Sequence, residues 1–329
     1  MTVADLSERE LVSRIHQRLA APPAWLTVGI GDDAAVVETE RNRLEVLTVD
    51  ALVDGVHFDR RYTPPDAIGH RALAVNLSDL AAMGATPRLA LLSLALPADM
   101  PTGDFDGMID GFAAVARAHQ VTVVGGNLTR TPGPLTVDVT ALGTVKRRGV
   151  LTRAGARPGD IVYVTGAIGA AAAGLAMLRD GAQETAGTCV ARYLRPAARV
   201  RVGQLLGRNR APSTCVDLSD GLADGVARIA DASGVGMTLE AAALPIEPEA
   251  RAWFERHGVD PLHAALTGGD DYELLFTVRP RMRGRLKAAF AHGGVAITRI
   301  GVCTADLSRT MTLSDGSMST LPAGYSHFR

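Results

Sequence analysis

Lysine is almost missing from this chain: Lys146 and Lys287 are the only two among 329 residues. Neither stands in a G-x-x-x-x-G-K-[ST] run, which excludes a Walker-type phosphate cradle. Cysteine is scarce too. Cys189, Cys215 and Cys303 are odd in number and widely spaced, which excludes a disulfide framework and a zinc signature and leaves buried free thiols as the reading. The eight histidines show no H-x-x-x-H spacing, and none neighbours a serine with an orienting acid, so zinc hydrolases and serine triads are set aside. A formal net charge of -1 gives no electrostatic reason to expect nucleic acid or an anionic membrane as partner. Long apolar runs are also lacking, since Leu89–Leu96 and Ala167–Leu178 are too short or too rich in Ala and Gly to span a bilayer. The first residues carry Asp5, Glu8, Arg9 and Glu10 without an apolar stretch, so no signal peptide is expected and the sequence predicts a cytoplasmic protein.

What is present is aspartate in unusual company. Gly29-Ile30-Gly31-Asp32-Asp33, Thr48-Val49-Asp50, Asn76-Leu77-Ser78-Asp79 and Asp217-Leu218-Ser219-Asp220-Gly221 each set carboxylates among small or apolar residues. Carboxylates that lose hydration are tolerated when paired, hydrogen-bonded or bound to metal, and hard oxygen donors of this kind suit Mg²⁺. If the chain handles polyphosphate, metal ions and arginine must supply the positive charge.

At 47% hydrophobic residues, the chain holds enough apolar material for two domains. Ser7 and Glu10 form a capping box before Leu11, Ile15 and Leu19, predicting an opening amphipathic helix. The Gly29–Val37 segment reads as a glycine turn entering a strand, and Leu44–Val53 as a second strand with Asp50 near its end. A helix between Asp66 and Gly84 is apolar nearly all round, which predicts burial and leaves Asp79 without an obvious route to water. Leu89–Leu96, Val121–Val124 and Leu135–Val145 read as strands, with a helix around Phe105–Ala118. Beyond Lys146–Gly149 come strand Ile161–Val164, an Ala-rich helix to about Leu178, helix Leu222–Ala232, and strands near Tyr272–Val278 and Val295–Ile300. Without strict βαβ alternation, the expectation is a mixed α/β protein of the α+β class with two domains, residues 1–148 and 149–329. The echo of Leu77-Ser78-Asp79 in Leu218-Ser219-Asp220 is too short to establish a duplication.

Each motif also has a plain structural reading. Gly and Asp at 29–33 are ordinary turn residues. Asp79 can pair with an arginine such as Arg71 or Arg153. Ser219 or Asp220 can cap the helix that follows, and a helix N-terminus can equally receive phosphate. Thr165-Gly166-Ala167-Ile168-Gly169 has the layout of a phosphate loop without the dinucleotide spacing, so close strand-to-helix packing explains its glycines better. His57, in Val53-Asp54-Gly55-Val56-His57-Phe58, closely follows Asp50 and is a candidate to line the same site.

The order of the motifs carries more than any one of them. GIGDDAAVV, TVDALVDGVHF, NLSDLAAMGATP, VVGGN, LTRAGARPGD, VDLSDGL, TGGDDYELLF and GYSHF together resemble the bacterial thiamine-monophosphate kinases. That group lies within a superfamily of ATP-binding enzymes that includes aminoimidazole ribonucleotide synthetase. The resemblance runs from Gly29 to Phe328. It implies an N-terminal α/β domain that pairs into a shared β-barrel in a homodimer, and a C-terminal α/β sandwich domain. It also implies ATP as co-substrate, several Mg²⁺ ions and thiamine monophosphate as acceptor. Asp33, Thr48, Val49, Asp50, Asp79, Asn127, Asp217 and Asp220 fall on the family's magnesium positions. Gly126, Asn127, Arg153, Ser219 and His119 fall on nucleotide positions, and His57, Asp270 and Tyr325 fall where thiamine phosphate is held. Asp33, Asp79, Asp217 and Arg153 would carry the chemistry.

Four positions depart from the family pattern. Asn127 stands for an Asp, Val49 for a hydroxyl residue, His119 for an aromatic near adenine, and Asp270 for a Glu. The reaction implied is transfer of the ATP γ-phosphoryl group to the phosphate of thiamine monophosphate. Another synthetase of the superfamily, or a catalytically silent nucleotide-binding homologue, are the alternatives.

Overall fold

The protein is described here by a computed structural model covering residues 1–183, 187–291 and 294–324. The chain forms two compact units, one of Met1–Leu80 with Thr86–Thr144, the other of Ala81–Ala85 with Val145–Arg329.

In the first unit the capping box forms as read: Ser7 N–H donates to Glu10 Oε2 at 2.7 Å and Glu10 N–H to Ser7 Oγ at 3.3 Å. It opens helix α1, Glu8–Arg18. Strands β1 (Leu26–Val28) and β2 (Val36–Val37) pair as a small antiparallel ribbon around the Gly29–Ala35 turn. Then follow β3 (Leu44–Val53), α2 (Pro65–Ala82), β4 (Thr86–Pro97), α3 (Thr102–His119), β5 (Thr122–Thr131) and β6 (Thr136–Val145). Four of these strands make a sheet in the order β3-β6-β4-β5, with β4 parallel to β5 and antiparallel to β6. A rise of period two sends Ala90, Leu92, Leu94, Val137, Val139 and Ala141 into the core. Leu47 and Val49 are 65% and 59% exposed.

Helices α2 and α3 cross at backbone contact. A Cβ on Gly69 would lie 1.8 Å from the Met108 carbonyl oxygen, and one on Gly111 would lie 1.9 Å from that of Asp66. Any side chain at either glycine would drive the helices apart. Around this crossing Ile68, Leu73, Leu77, Phe105, Met108 and Phe112 are sealed from solvent, so the apolar pattern of α2 was a faithful signal of burial.

The second unit carries β7 (Ile161–Thr165), α4 (Ala170–Arg179), α5 (Thr188–Leu194), α6 (Val200–Asn209), β8 (Thr214–Asp217), α7 (Leu222–Ser233) and β9 (Gly236–Glu240). It continues with α8 (Pro248–Arg256), α9 (Pro261–Thr267), β10 (Leu274–Val278), α10 (Arg283–Phe290), β11 (Ile297–Thr304), β12 (Arg309–Thr312) and β13 (Met318–Thr320). Among the described residues these strands form one sheet, ordered β13-β12-β9-β11-β7-β10-β8. Every residue of β10 and β8 is buried, which requires cover on both faces. All three cysteines are buried and free. Among the described residues no helix is long and apolar enough to cross a membrane.

Candidate active site

The first unit contains a cavity of about 810 Å³ at the β5 side of its sheet, within the range of small-molecule sites. Three sources build its wall: α1 through Glu8, Val12 and Ile15, the whole Gly29–Ala35 turn, and residues of β4, β5 and β6. Asp33, Gly126 and Asn127 of the predicted set line it, together with Asp32 and Asp138. Its lining holds Glu8, Asp32, Asp33 and Asp138 and no Lys, Arg or His. Gly126 is required by space, because a Cβ there would lie 1.8 Å from the Leu92 carbonyl oxygen.

Strand alternation places Thr48 and Asp50 on one face of β3 and Val49 on the other. The Thr48 hydroxyl donates to Asp79 Oδ2, joining two predicted magnesium positions directly. Asp79 is half-buried, so the expectation that it has no route to water is corrected. Its helix packs tightly, but its carboxylate meets the sheet at Thr48, which is itself half-buried. Nor does Arg71 pair with it; that guanidinium is 1% exposed and reaches the His57 carbonyl at 3.5 Å. The His57 ring accepts at Nδ1 from the Val53 N–H at 3.1 Å, so a neutral ring carries its proton on Nε2. His119, at the end of α3, is half-buried, and burial, with His70 nearby, holds its pKa below the usual value. Thr48, Asp50, Asp79, His57 and His119 do not line the cavity that contains Asp33 and Asn127.

In the second unit β8 ends on Asp217, which is 7% exposed. The chain then turns through Ser219 and Asp220 to Gly221, the residue preceding α7, with φ of 95° and no side-chain cap on the helix. Capping therefore does not explain Ser219 or Asp220. Asp220 instead pairs with Arg228 at 2.5 Å and accepts from the Ser219 hydroxyl at 3.3 Å. Arg228 also grips Asp224, whose pKa burial raises against the pull of Arg228. Arg153 is exposed.

Asp270 sits beside this turn. Its N–H donates to the Ser219 carbonyl at 2.8 Å, and the Tyr272 N–H donates to that of Leu218 at 3.0 Å. Asp270 and Tyr272 take left-handed backbone angles, φ 67° and 50°, and the Tyr272 hydroxyl donates to Asp270 Oδ1 at 3.0 Å. Two acids that the sequence reading passed over lock this segment. Asp271 accepts from the Gly169 N–H at 2.6 Å and from Ala171 N–H at 3.2 Å, closing the N-terminus of α4. Burial pushes its pKa up to about 7 despite those donors. Glu273 is fully buried, accepts from the Thr165 hydroxyl at 2.6 Å and from Arg199 Nε at 2.6 Å, and also pairs with Arg192. A Cβ on Gly166 would meet Glu273 Oε1 at 2.2 Å, so that glycine serves packing, as expected for this loop. Tyr325 lies outside the described residues, and Gly324 before it rests against Asp224.

Whether these residues suit magnesium can be judged from their donors. All are hard oxygens, and the acid-lined cavity has no cationic side chain to meet an anionic ligand, which fits Mg²⁺. Among the described residues no three His, Cys, Asp or Glu side chains form a group able to hold a metal alone.

Comparison with known proteins reaches across nearly the whole chain. Residues 31–145 match the AIR synthase related protein N-terminal domain and residues 157–313 the corresponding C-terminal domain. The chain is 40% identical over 329 residues to the thiamine-monophosphate kinase of Escherichia coli K12, covering 98% of each. The crystal structure of thiamine-monophosphate kinase from Stenotrophomonas maltophilia K279a superposes with a TM-score of 0.83 at 37% identity, over 95% of this chain and 98% of that one. AaThiL complexed with AMPPCP and TMP superposes at 0.77 and 32% identity, over 100% and 99%. By sequence and by fold, the chain belongs to the AIR synthase related proteins and, among them, to the thiamine-monophosphate kinases.

Proposed function

We propose that the chain transfers the γ-phosphoryl group of ATP to the phosphate of thiamine monophosphate, yielding thiamine diphosphate and ADP. The observation that carries this reading is full-length similarity to a protein solved with AMPPCP and TMP, joined to a cavity lined by carboxylates without a cationic side chain. The acceptor phosphate has its second pKa near ~6 and is largely ionised at neutral pH, so no general base is needed. The task is to bring two polyanions into line and neutralise charge.

Asp33, Thr48, Asp50, Asp79, Asn127, Asp217 and Asp220, with the Val49 carbonyl, are the proposed magnesium positions. Magnesium bound there would neutralise charge on the transferred group and orient it. Thr48 holds Asp79 in place through its hydroxyl, so the two act as one unit. Asp220 shares its charge with Arg228 and is the weaker donor for it. Gly126, Asn127, Arg153, Ser219 and His119 are assigned to ATP. His57, whose Nδ1 accepts from the Val53 N–H, is assigned to the acceptor phosphate. Asp270 faces the cationic thiazolium ring, with Tyr325 packing against that ring.

Domain boundaries near residue 148, a cytoplasmic location and a homodimer through a shared barrel belong to the same proposal. Exposed Leu47, Val49 and Leu91 supply the apolar surface that a second copy would cover. The deciding experiment is an end-point assay with the purified chain, ATP, Mg²⁺ and thiamine monophosphate. Thiamine diphosphate and ADP in equal amounts are expected. ATP binding without product would turn the reading toward a silent nucleotide-binding protein.

A further inference from the structure

Strands β1 and β2 hold three and two residues, and a two-stranded ribbon of that size is marginal without support. The turn it carries is not wedged in place. Gly31, Asp32, Asp33 and Ala34 are exposed, and a Cβ on Gly31 would meet nothing within 4 Å. Yet this turn presents Asp33 to the cavity, so its position must be set at the feet of the ribbon.

Both feet meet one side chain of the sheet. Arg88 on β4 lays its guanidinium over the Trp25 ring, 4.2 Å from the ring centre, just ahead of β1. The same guanidinium donates through Nη2 to the Glu38 carbonyl, just beyond β2. The feet are also bonded to each other, the Glu38 N–H donating to the Trp25 carbonyl at 2.9 Å. The chain after Glu38 stays on this end of the sheet. Glu40 lies 3.9 Å from Arg88 Nε, pairs with Arg43 at 2.8 Å and accepts from the Thr144 hydroxyl of β6 at 3.2 Å. Arg88 falls where the β4–β6 register shifts between Pro87 and Leu89, and such a bulge re-aims the side chain it carries.

Arg88 is a costly way to fill this space. It is 7% exposed, and its Nη1 is buried without an acceptor among the described residues. An apolar side chain of similar volume would spare that desolvation. What an apolar side chain lacks is a planar fork that stacks on one foot while donating to the other. Filling the space does not call for that geometry, whereas fixing the ribbon does.

We propose that Arg88 is a positioning residue for Asp33: it clamps both feet of the ribbon to the sheet and so fixes where the Gly29–Ala35 turn holds that carboxylate. This inference rests on the assignment of Asp33 to magnesium made above. It adds a residue that does not itself line the cavity. The clamp acts on the metal end of the reaction, since none of the residues assigned to thiamine monophosphate, His57, Asp270 and Tyr325, belongs to the ribbon.

The first readout needs no ligand. Hydrogen exchange on the full chain follows the amides of Leu26 and Glu38, which donate to the Pro23 and Trp25 carbonyls. In Arg88→Met, which keeps an unbranched stem and drops the guanidinium, both should exchange at least ~10-fold faster while the amides of β4, β5 and β6 stay protected. The second readout is the Mg²⁺ dependence of turnover. The same variant should need at least ~5-fold more Mg²⁺ for half-maximal turnover, with KM for thiamine monophosphate held within ~2-fold, because a small misplacement of one group is felt where that group acts. A merely structural role would not split the two. Trp25→Ala should reproduce both effects, and Trp25→Phe, which keeps a ring face, should spare them. Arg88→Met combined with Trp25→Ala should be no worse than either alone, as for two halves of one contact.

Exchange and Mg²⁺ curves that overlay those of the unmodified chain would overturn the proposal. So would faster exchange with an unchanged Mg²⁺ requirement, or equal rises in the requirements for Mg²⁺ and thiamine monophosphate, the mark of general loosening. If Arg88→Met does not fold, Trp25→Ala decides by the same two readouts. The product assay on the unmodified chain is run in parallel. Lack of thiamine diphosphate would sink the functional reading and leave the exchange result to judge the clamp, whereas normal product with unresponsive variants would sink only the role of Arg88.

Discussion

The two units place their acidic side chains differently. In the second unit Glu273 is sealed and has its demands met by Thr165, Arg192 and Arg199, and Asp271 is consumed by the first turn of α4. In the first unit Asp33, which is exposed, and Asp138, which is half-buried, line with the uncharged Asn127 a cavity that holds no cationic side chain. The difference separates charge that holds the fold from charge kept for a ligand. Saturated carboxylates in the core leave nothing to offer a cation, while carboxylates on a cavity wall stay open to one.

The largest expected effect tests the structural side of that contrast. Glu273→Ala removes the common partner of two arginines that are only 23% and 13% exposed. Breaking a buried pair in this way costs about 3–5 kcal/mol, and urea unfolding should show the loss as a lower midpoint. A change below about 1 kcal/mol would mean that the cluster is relieved by water and that the contrast between units is weaker than drawn.

Next comes the ligand side, to which Asp217 of the second unit is also assigned. Asp79→Asn and Asp217→Asn are each expected to lower turnover at least ~100-fold by removing charge that acts on the transition state. Asp79→Asn should cost little stability, because an amide can still accept the Thr48 hydroxyl. Near-normal turnover in both purified variants would remove the metal assignment. A fall in stability matching the fall in turnover would move Asp79 to the structural class.

How far the sequence made this visible depends on the range of the interactions. Helix α2 was legible because its burial is written into its own apolar spacing, and the capping box of α1 because both partners lie three residues apart. Strand β5 was read as Val121–Val124 and runs instead to Thr131, since Gly125 and Gly126 interrupt the apolar signal where backbone approach to Leu92 demands glycine. Strand β8 and the helices α5, α6, α8, α9 and α10 went unread. A strand buried on both faces shows no alternation, and five short helices packed on a sheet draw their stability from that packing rather than from their own pattern. The aspartates of the candidate site stood out locally, but the locks beneath Asp270 did not. Glu273 finds Arg192 and Arg199 across 81 and 74 residues, and one sequence offers no signal for such a pairing.

A smaller effect concerns pH. Burial raises the pKa of Asp271 from its ordinary value to about 7, so the folded chain binds a proton that the unfolded chain has already lost. The sign follows directly: the stabilisation is fully present below the unfolded pKa, near 3.8, and is lost as pH rises through about 7. Asp271→Asn, which cannot titrate, should show a flatter profile of unfolding free energy between those limits than the unmodified chain. Parallel profiles would place the ionised carboxylate, satisfied by the two α4 amides, as the stable form throughout. The saturated acids of the second unit would then be more completely compensated than burial alone implies.

The smallest effect sharpens the comparison from the first unit. Ser7 and Glu10 close the exposed end of α1, and the same helix gives Glu8, Val12 and Ile15 to the cavity wall. Ser7→Ala should cost about 1 kcal/mol, the usual worth of an N-cap. Because Leu11 and Ile15 are buried, the loss should be confined to the first turn, and hydrogen exchange should quicken at the amides of residues 9–11 while α3 stays protected. A cavity whose wall is a capped surface helix can be loosened there without unfolding its sheet, whereas the lock on Asp270 is tied into the core. If Ser7→Ala instead quickened exchange through α2 and α3, α1 would be part of the first unit's cooperative core, and its cavity would be as rigidly framed as the Asp270 turn.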